Sequence, residues 1–340
     1  MQKWIIPALL FITQLVQAQT KVEWNKQRAM DSITMARVAE IAKIYPLLRQ
    51  VTVSNDFVLK RNSNTDFNKE SAFSSELVTN RTRVNINLPL YTWNRNVLKL
   101  GLNYMHQYQR YGNLQPAVRP GSKQEDEIAV SSNTYGFSLN YGRNDSLFNL
   151  PVIYSLGVAG VTSTFSSIQK MSYTGGVIFT LKRTPVTALS VGGVFIIDPS
   201  LSFPFTPVVS YYRRFQIPKL ELLIDIPYRA MLRKQFNKKS WATAGTEISS
   251  SVSFLNLSQY GLPVSTNYSS FELKSGLTYE YELAPKIIAG IGAGVFSTMS
   301  SRMFKATDQA KDYFVRDKTR PAPYLNISIS ILPFARPLIR

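Results

Sequence analysis

The chain has 340 residues, 44% of them hydrophobic, with a single histidine and no cysteine, which excludes a small disulfide-stapled scaffold and a Cys/His zinc site. A formal net charge of +18 at pH 7 suits a nucleic-acid binder, but no base-reading module is visible, so no nucleic acid is expected as a partner. The length suits one substantial barrel or two ordinary soluble domains.

Lys3 leads into the apolar run WIIPALLFITQLV, and Val16-Gln17-Ala18 puts small residues at the two positions a signal peptidase reads. Residues 1 to 18 are therefore expected to be a removed secretory signal, with no Cys at the cut for lipidation. No later run approaches the roughly 18 to 20 continuous apolar residues of a membrane helix, so the expectation is export without a helical anchor. Residues 19 to 50 form an N-terminal periplasmic segment. Within it Asn25 to Tyr45 avoid Gly and Pro and predict a helix stopped by Pro46. Such a helix is either a plug, a contact for a periplasmic partner, or a loosely docked tail.

From residue 51 a two-residue alternation takes over. In RTRVNINLPLYTWNRNVLKLGLNY, Val84, Ile86, Leu88 and Leu90 alternate with Arg83, Asn85 and Asn87. After the turn YTWNRN, Leu98, Leu100, Leu102 and Tyr104 alternate with Lys99, Gly101 and Asn103. An extended backbone sends these classes to opposite faces, so the stretch reads as a hairpin. The pattern recurs at Tyr135 to Tyr141, Tyr173 to Leu181, Leu220 to Ile226, Phe271 to Tyr281, Ile287 to Val295 and Leu325 to Ile331. Glycine recurs on the polar face, as in the crowded, wet interior of a closed barrel, and Tyr, Phe and Trp gather near strand ends, as in the girdles that flank a membrane-facing band. A secreted β-sandwich is the competing architecture.

Short links are expected at 91–96, 183–186, 216–218 and 284–285, a somewhat longer one at 143–150, and long ones at 61–71, 110–127, 256–268 and 300–321. Reversals at DIPYR, where Pro227 cannot donate to a ladder, and at NKKS (237–240) bring the count to 14 strands; without them it falls to 12 or 13. The predicted fold is all-β: a transmembrane antiparallel up-and-down β-barrel of about 14 strands over residues 51–340, preceded by a short helical segment.

The end of the signal, the repeated amphipathic strands, YYRRF, LELLIDIPYRAMLR and the closing APYLNISISILPF resemble an uncharacterised family of outer-membrane β-barrel proteins of Bacteroidetes-type bacteria, a domain of unknown function. The resemblance covers roughly residues 50–334 and implies a fold and a location, the outer membrane of a Gram-negative bacterium, without an activity. It also implies the barrel-assembly machinery as a partner. Many such barrels end on an aromatic residue that this machinery reads; this chain ends FARPLIR, leaving Phe334 as the candidate.

Little in the sequence carries chemistry. His106, in NYMHQYQRY, would need a nearby Ser and an orienting acid to make a lipid hydrolase; Ser131, Ser132 and Ser138 are the candidates, against the plainer reading of an interfacial His among tyrosines. Glu125, Asp126 and Glu127 in a loop are a weak cation lure, and GIGAG (290–294) mimics a phosphate loop but lies in an alternating strand with no helix after it. No catalytic residue, metal ligand or cofactor is assigned.

Charge is the remaining handle. By phase, Arg81, Arg83, Lys99, Glu221, Asp225, Arg229, Arg233, Glu272, Lys274, Glu280 and Glu282 face the lumen, where they either bias a pore towards anions or brace it shut. Arg143, Arg183, Arg213, Arg214, Lys238 and Lys239 near the rims are expected to meet phosphates of outer-membrane lipids and lipopolysaccharide. The expected function is passive passage of small, preferentially anionic, solutes. The alternatives are an interaction barrel with a closed lumen and, further off, the His106 hydrolase.

Overall fold

The computed structural model describes residues 35–116, 127–198, 204–255, 266–305 and 308–334. The proposed signal, the first part of the predicted helix (25–34), and Glu125 and Asp126 lie outside them. Residues 35–44 form a helix, α1, free of Gly and Pro; Pro46 ends it and opens a single 3-10 turn, Pro46–Leu48.

Thirteen antiparallel strands follow: β1 (Val51–Phe67), β2 (Glu70–Trp93), β3 (Asn96–Pro116), β4 (Glu127–Leu147), β5 (Leu150–Thr162), β6 (Lys170–Arg183), β7 (Thr187–Ile197), β8 (Phe205–Arg214), β9 (Leu220–Ile226), β10 (Arg229–Gln235), β11 (Ser240–Leu255), β12 (Thr266–Ala284) and β13 (Ile287–Lys305). Two further segments, Val315–Thr319 and Ala322–Ile331, both lie between β13 and β1. Ser63 stands opposite Thr319 and Val58 opposite Tyr324, so the register against β1 does not slip between the segments. They are one strand, β14, whose ladder lapses where Pro321 and Pro323 have no N–H to give. Each strand pairs with its sequence neighbours and β14 closes on β1, making a ring of 14 positions.

Both added reversals are present, at Pro227–Tyr228 and at 236–239, which fixes the count at 14 rather than 12 or 13. The link at 61–71 is far shorter than expected. β1 and β2 run on to a two-residue turn at Asn68 and Lys69, both left-handed (φ 50° and 72°). The polar composition that suggested a loop instead belongs to strands that continue beyond the apolar band. Likewise 143–150 tightens to a turn at Phe148 and Asn149.

The ring is inside out relative to a soluble protein. Phe57, Leu102, Leu139, Leu156, Ile291 and Ile327 are exposed on the outside, while Asp56, Arg81 and Glu272 are 1–2% exposed within. Polar groups removed from water need partners, and the interior supplies most of them. No helix among the described residues is long and apolar enough to cross a membrane; the strands present the apolar surface.

The wall is uneven. β2, β3 and β4 have 24, 21 and 21 residues, whereas β9 and β10 have seven each. β4 and β11 therefore outrun their neighbours: β5 ends opposite Tyr135, and β10 begins opposite Glu247. Above those points the two free edges, on opposite sides of the ring, meet; Thr134 Oγ1 donates to the Val252 carbonyl at 3.4 Å. The tall strands β11–β14 and β1–β4 thus close on themselves into a tube of eight positions at the long-loop end. A ring of that size has room for side chains alone. Leu255, Tyr268, Met303 and Val315 fill it, with Val130 packed from β4.

Candidate functional site: a partitioned lumen

Below the seam, ion pairs cross the interior. Arg81 on β2 grips Glu272 on β12 with two hydrogen bonds of 2.6 Å, and its Nε donates to Gln107 at 2.7 Å. Ser270 donates to the same carboxylate at 2.7 Å. Beside it, Asp56 accepts from Arg83 and Lys274, both at 2.6 Å, and from Asn326 at 2.8 Å. β1, β14 and β13 separate β2 from β12 in the ring, so the Arg81–Glu272 pair is a chord and not a rung, as is Lys274 to Asp56, whereas Arg83 and Asn326 reach Asp56 from the strands next to β1. Buried charges persist only when paired and saturated with hydrogen bonds, which is the condition met here.

Under this layer lies a cavity of about 280 Å³, lined on one side by Arg83 and Lys274 and on the other by Arg229 and Arg233. Glu221 accepts from Arg233 at 2.8 Å and from Tyr212 at 2.8 Å; Asp225 accepts from Arg229 at 2.8 Å and from Ser210 at 2.6 Å.

The short-turn mouth is covered by α1. Ala39 and Ala42 pack on Trp241, Ile288 and Leu332. Arg49, just past the helix, donates to Glu280 at 2.5 Å, whose other oxygen takes the Trp241 indole N–H at 2.6 Å. Lys43 reaches Glu282 at 3.0 Å and Glu40 at 2.9 Å. Burial alone would lower the Lys43 pKa, but hydrogen bonds and charge attraction from the two carboxylates hold it above its ordinary value. The Tyr45 ring lies 5.2 Å from the Arg229 guanidinium; burial and the nearby Asp225 raise its phenol pKa against the pull of that cation.

The remaining wall is different in kind. The lumenal positions of β5–β7 include many small residues, Ser155, Gly157, Ala159, Gly176, Ser190 and Gly192, all partly exposed, interspersed with Ile178 and Val194. The charged chords and the cavity beneath them therefore lie towards the tall strands and β9–β10, whereas the β5–β7 wall takes part in neither.

The eleven charged candidates divide accordingly. Arg81, Arg83, Glu272 and Lys274 join the chord layer, with Asp56; Glu221, Asp225, Arg229 and Arg233 form a second group on β9 and β10; Glu280 and Glu282 hold the N-terminal segment. Lys99 is exposed and joins no ion pair among the described residues. Sequence reasoning missed Asp56, Arg49 and Trp241. Asp56 was within reach, since it shares the phase of Thr52 and Ser54; Arg49 precedes the first strand and belongs to no periodic pattern.

His106 meets Asn133 Oδ1 at 3.0 Å, an oxygen that also accepts from the Tyr104 hydroxyl at 2.9 Å. Ser132 and Ser138 occupy the opposite, lumenal face of β4. The described residues hold no group of three or more His, Asp or Glu placed to bind a metal, and Glu127 stands 3.9 Å from Arg110. GIGAG is part of β13 and is followed by more strand.

A closed antiparallel ring with an apolar exterior and a charged interior is the architecture of a transmembrane β-barrel. No family model matches the chain, and no curated protein matches its sequence, so the family suggested by the strand motifs is not assigned. Among solved structures, the chain is similar to an outer membrane channel from Pseudomonas putida F1 (9% identity, 84% of this chain and 96% of that one, TM-score 0.33). It is also similar to the translocator domain of the autotransporter NalP from Neisseria meningitidis (9%, 91% and 98%, 0.29) and to the toluene transporter TodX from Pseudomonas putida (10%, 83% and 88%, 0.30). At such scores nothing about what this chain conducts or binds follows from them.

Proposed function

We propose that the chain is an outer-membrane pore for small, preferentially anionic, solutes, exported by the signal at residues 1–18 and related to the Bacteroidetes-type barrels that its strand motifs resemble. The observation that carries the reading is the contrast inside the lumen: small, partly exposed residues on β5–β7 lie in the same ring as a cavity faced by Arg83, Arg229, Arg233 and Lys274. The passage runs along β5–β7, and the guanidinium groups of the cavity, on β2 and β10 of the same lumen, favour anions. Short turns face the periplasm in such barrels, so the rim cations Arg143, Arg183, Arg213, Lys238 and Lys239, all beside the short turns, meet phospholipid phosphates of the inner leaflet and not lipopolysaccharide.

Single-channel recording of the mature protein in a planar bilayer under a salt gradient tests this. Stable steps with a reversal potential of anionic sign are expected; silence from demonstrably folded protein overturns it. The cover of α1 over the mouth favours a second reading, a barrel closed at rest. Deleting residues 21–45 separates the two, because steps that appear only after deletion identify the helix as the plug.

A further inference from the structure

We infer that the lumenal cavity is a saturable binding site for one small oxyanion, a carboxylate or a phosphate, built jointly by the N-terminal segment and the barrel wall. This deepens the pore reading and rests on it for access from solution. Six cationic side chains, Lys43, Arg49, Arg83, Arg229, Arg233 and Lys274, line the space against three carboxylates, Asp56, Glu247 and Glu280, among the described residues. Each cation has a carboxylate partner, but Glu221, Asp225 and Glu282 sit behind the cations they pair with and do not line the cavity. The surface turned towards the space is therefore positive.

Two of the three carboxylates that line the space are already taken. Asp56 receives Arg83, Lys274 and Asn326, and Glu280 receives Arg49 and Trp241, which leaves Glu247. Donors remain in excess. Arg49 is 3% exposed and lines the cavity; its Nη1 serves Glu280, its Nε serves the Ala42 carbonyl at 3.3 Å, and its Nη2 has no acceptor. Arg233, 5% exposed, keeps its Nε unpartnered while its guanidinium stacks 4.9 Å from the Trp241 ring. Both nitrogens are sealed from a water-sized probe, so an anion in the space reaches them only as the guanidinium groups turn towards it; a carboxylate or a phosphate supplies the acceptors that such a turn would satisfy. At about 280 Å³ the space sits at the small end of ligand pockets, with hydroxyls of Thr52, Ser54, Thr243 and Thr278 at its edge.

Isothermal titration of the full mature protein in detergent, with phosphate and with acetate as separate probes at constant ionic strength, tests the site. Saturable binding of at least one probe is expected, weakened tenfold or more in Arg49→Gln and in Arg229→Gln and unchanged in Lys318→Gln at the distant loop end. Which probe binds assigns the headgroup chemistry. Binding that does not saturate, that chloride displaces equally well, or that both Arg variants retain overturns the site. If Arg49→Gln does not fold, Arg229→Gln and Arg49→Lys carry the comparison. Conductance is recorded on the same preparation: steps without saturable binding leave the pore and remove the site, whereas saturable binding without steps leaves the site and removes the pore.

Discussion

At the level of single residues, the Arg81–Glu272 pair shows how a charge survives inside the ring. Both side chains are at most 3% exposed and are saturated by each other, Gln107 and Ser270. Arg81→Ala strands Glu272 and is expected to cost about 3 to 5 kcal/mol in urea unfolding from lipid vesicles, while the Arg81→Met/Glu272→Met double variant recovers most of that loss. Charge at the mouth gives a pH prediction. Lys43 and Tyr45 both have raised pKa values, so the protonated forms are favoured when α1 is docked. Their contribution is complete below the ordinary lysine and tyrosine values and is lost as pH rises through the raised ones. A spin label on α1 should therefore report a docked helix through neutral pH and release only above about pH 10. Phase alone was enough to read which of these residues share a face, because the side-chain period of a strand is two. It was blind to partners, since Arg81 and Glu272 are 191 positions apart and meet by a chord no local pattern encodes.

At the level of elements, β12 and β13 meet glycine to glycine where Gly276 stands opposite Gly294. A Cβ on Gly294 would lie 2.1 Å from the Ser275 carbonyl oxygen, so Gly294→Ala must push the two strands apart; a loss of about 1 to 3 kcal/mol is expected in the same unfolding assay. The docking of α1 turns on Glu280, which holds both Arg49 and Trp241. Glu280→Gln is expected to speed proteolysis of the N-terminal segment severalfold while leaving the barrel resistant. The strands were legible in the sequence wherever an apolar face alternated with a polar one. Their ends were not: the tip of β1 rises clear of the apolar band with Arg61, Ser63 and Thr65 on one face and Asn62, Asn64 and Asp66 on the other, so the alternation vanishes although the ladder continues. Pro321 and Pro323 interrupt β14 without breaking its register, another feature that composition alone reads as a loop.

At the level of the whole molecule, the ring is two tubes in one, 14 positions wide at the short-turn end and eight at the other. Nothing in the sequence announces this, because it follows from strand lengths on opposite sides of the ring and from a seam between strands with six others between them. Cysteines at Thr134 and Ser253 flank that seam, and with no native cysteine to compete they are expected to be bridged by oxidation or a short bifunctional reagent. On the proposed route along β5–β7, conductance is expected to survive the bridge. The unequal wall also acts on the bilayer. Seven residues in β9 or β10 fall short of the roughly 9 to 11 that a tilted strand needs to cross the hydrocarbon core, whereas β2 and β3 exceed it. The barrel therefore wears a hydrophobic belt that is narrow on one side and broad on the other. Lipids beside the narrow side must shorten or tilt, so the bilayer thins there, and two copies with their narrow sides together would share one thinned patch, a lipid-mediated attraction that needs no complementary surface.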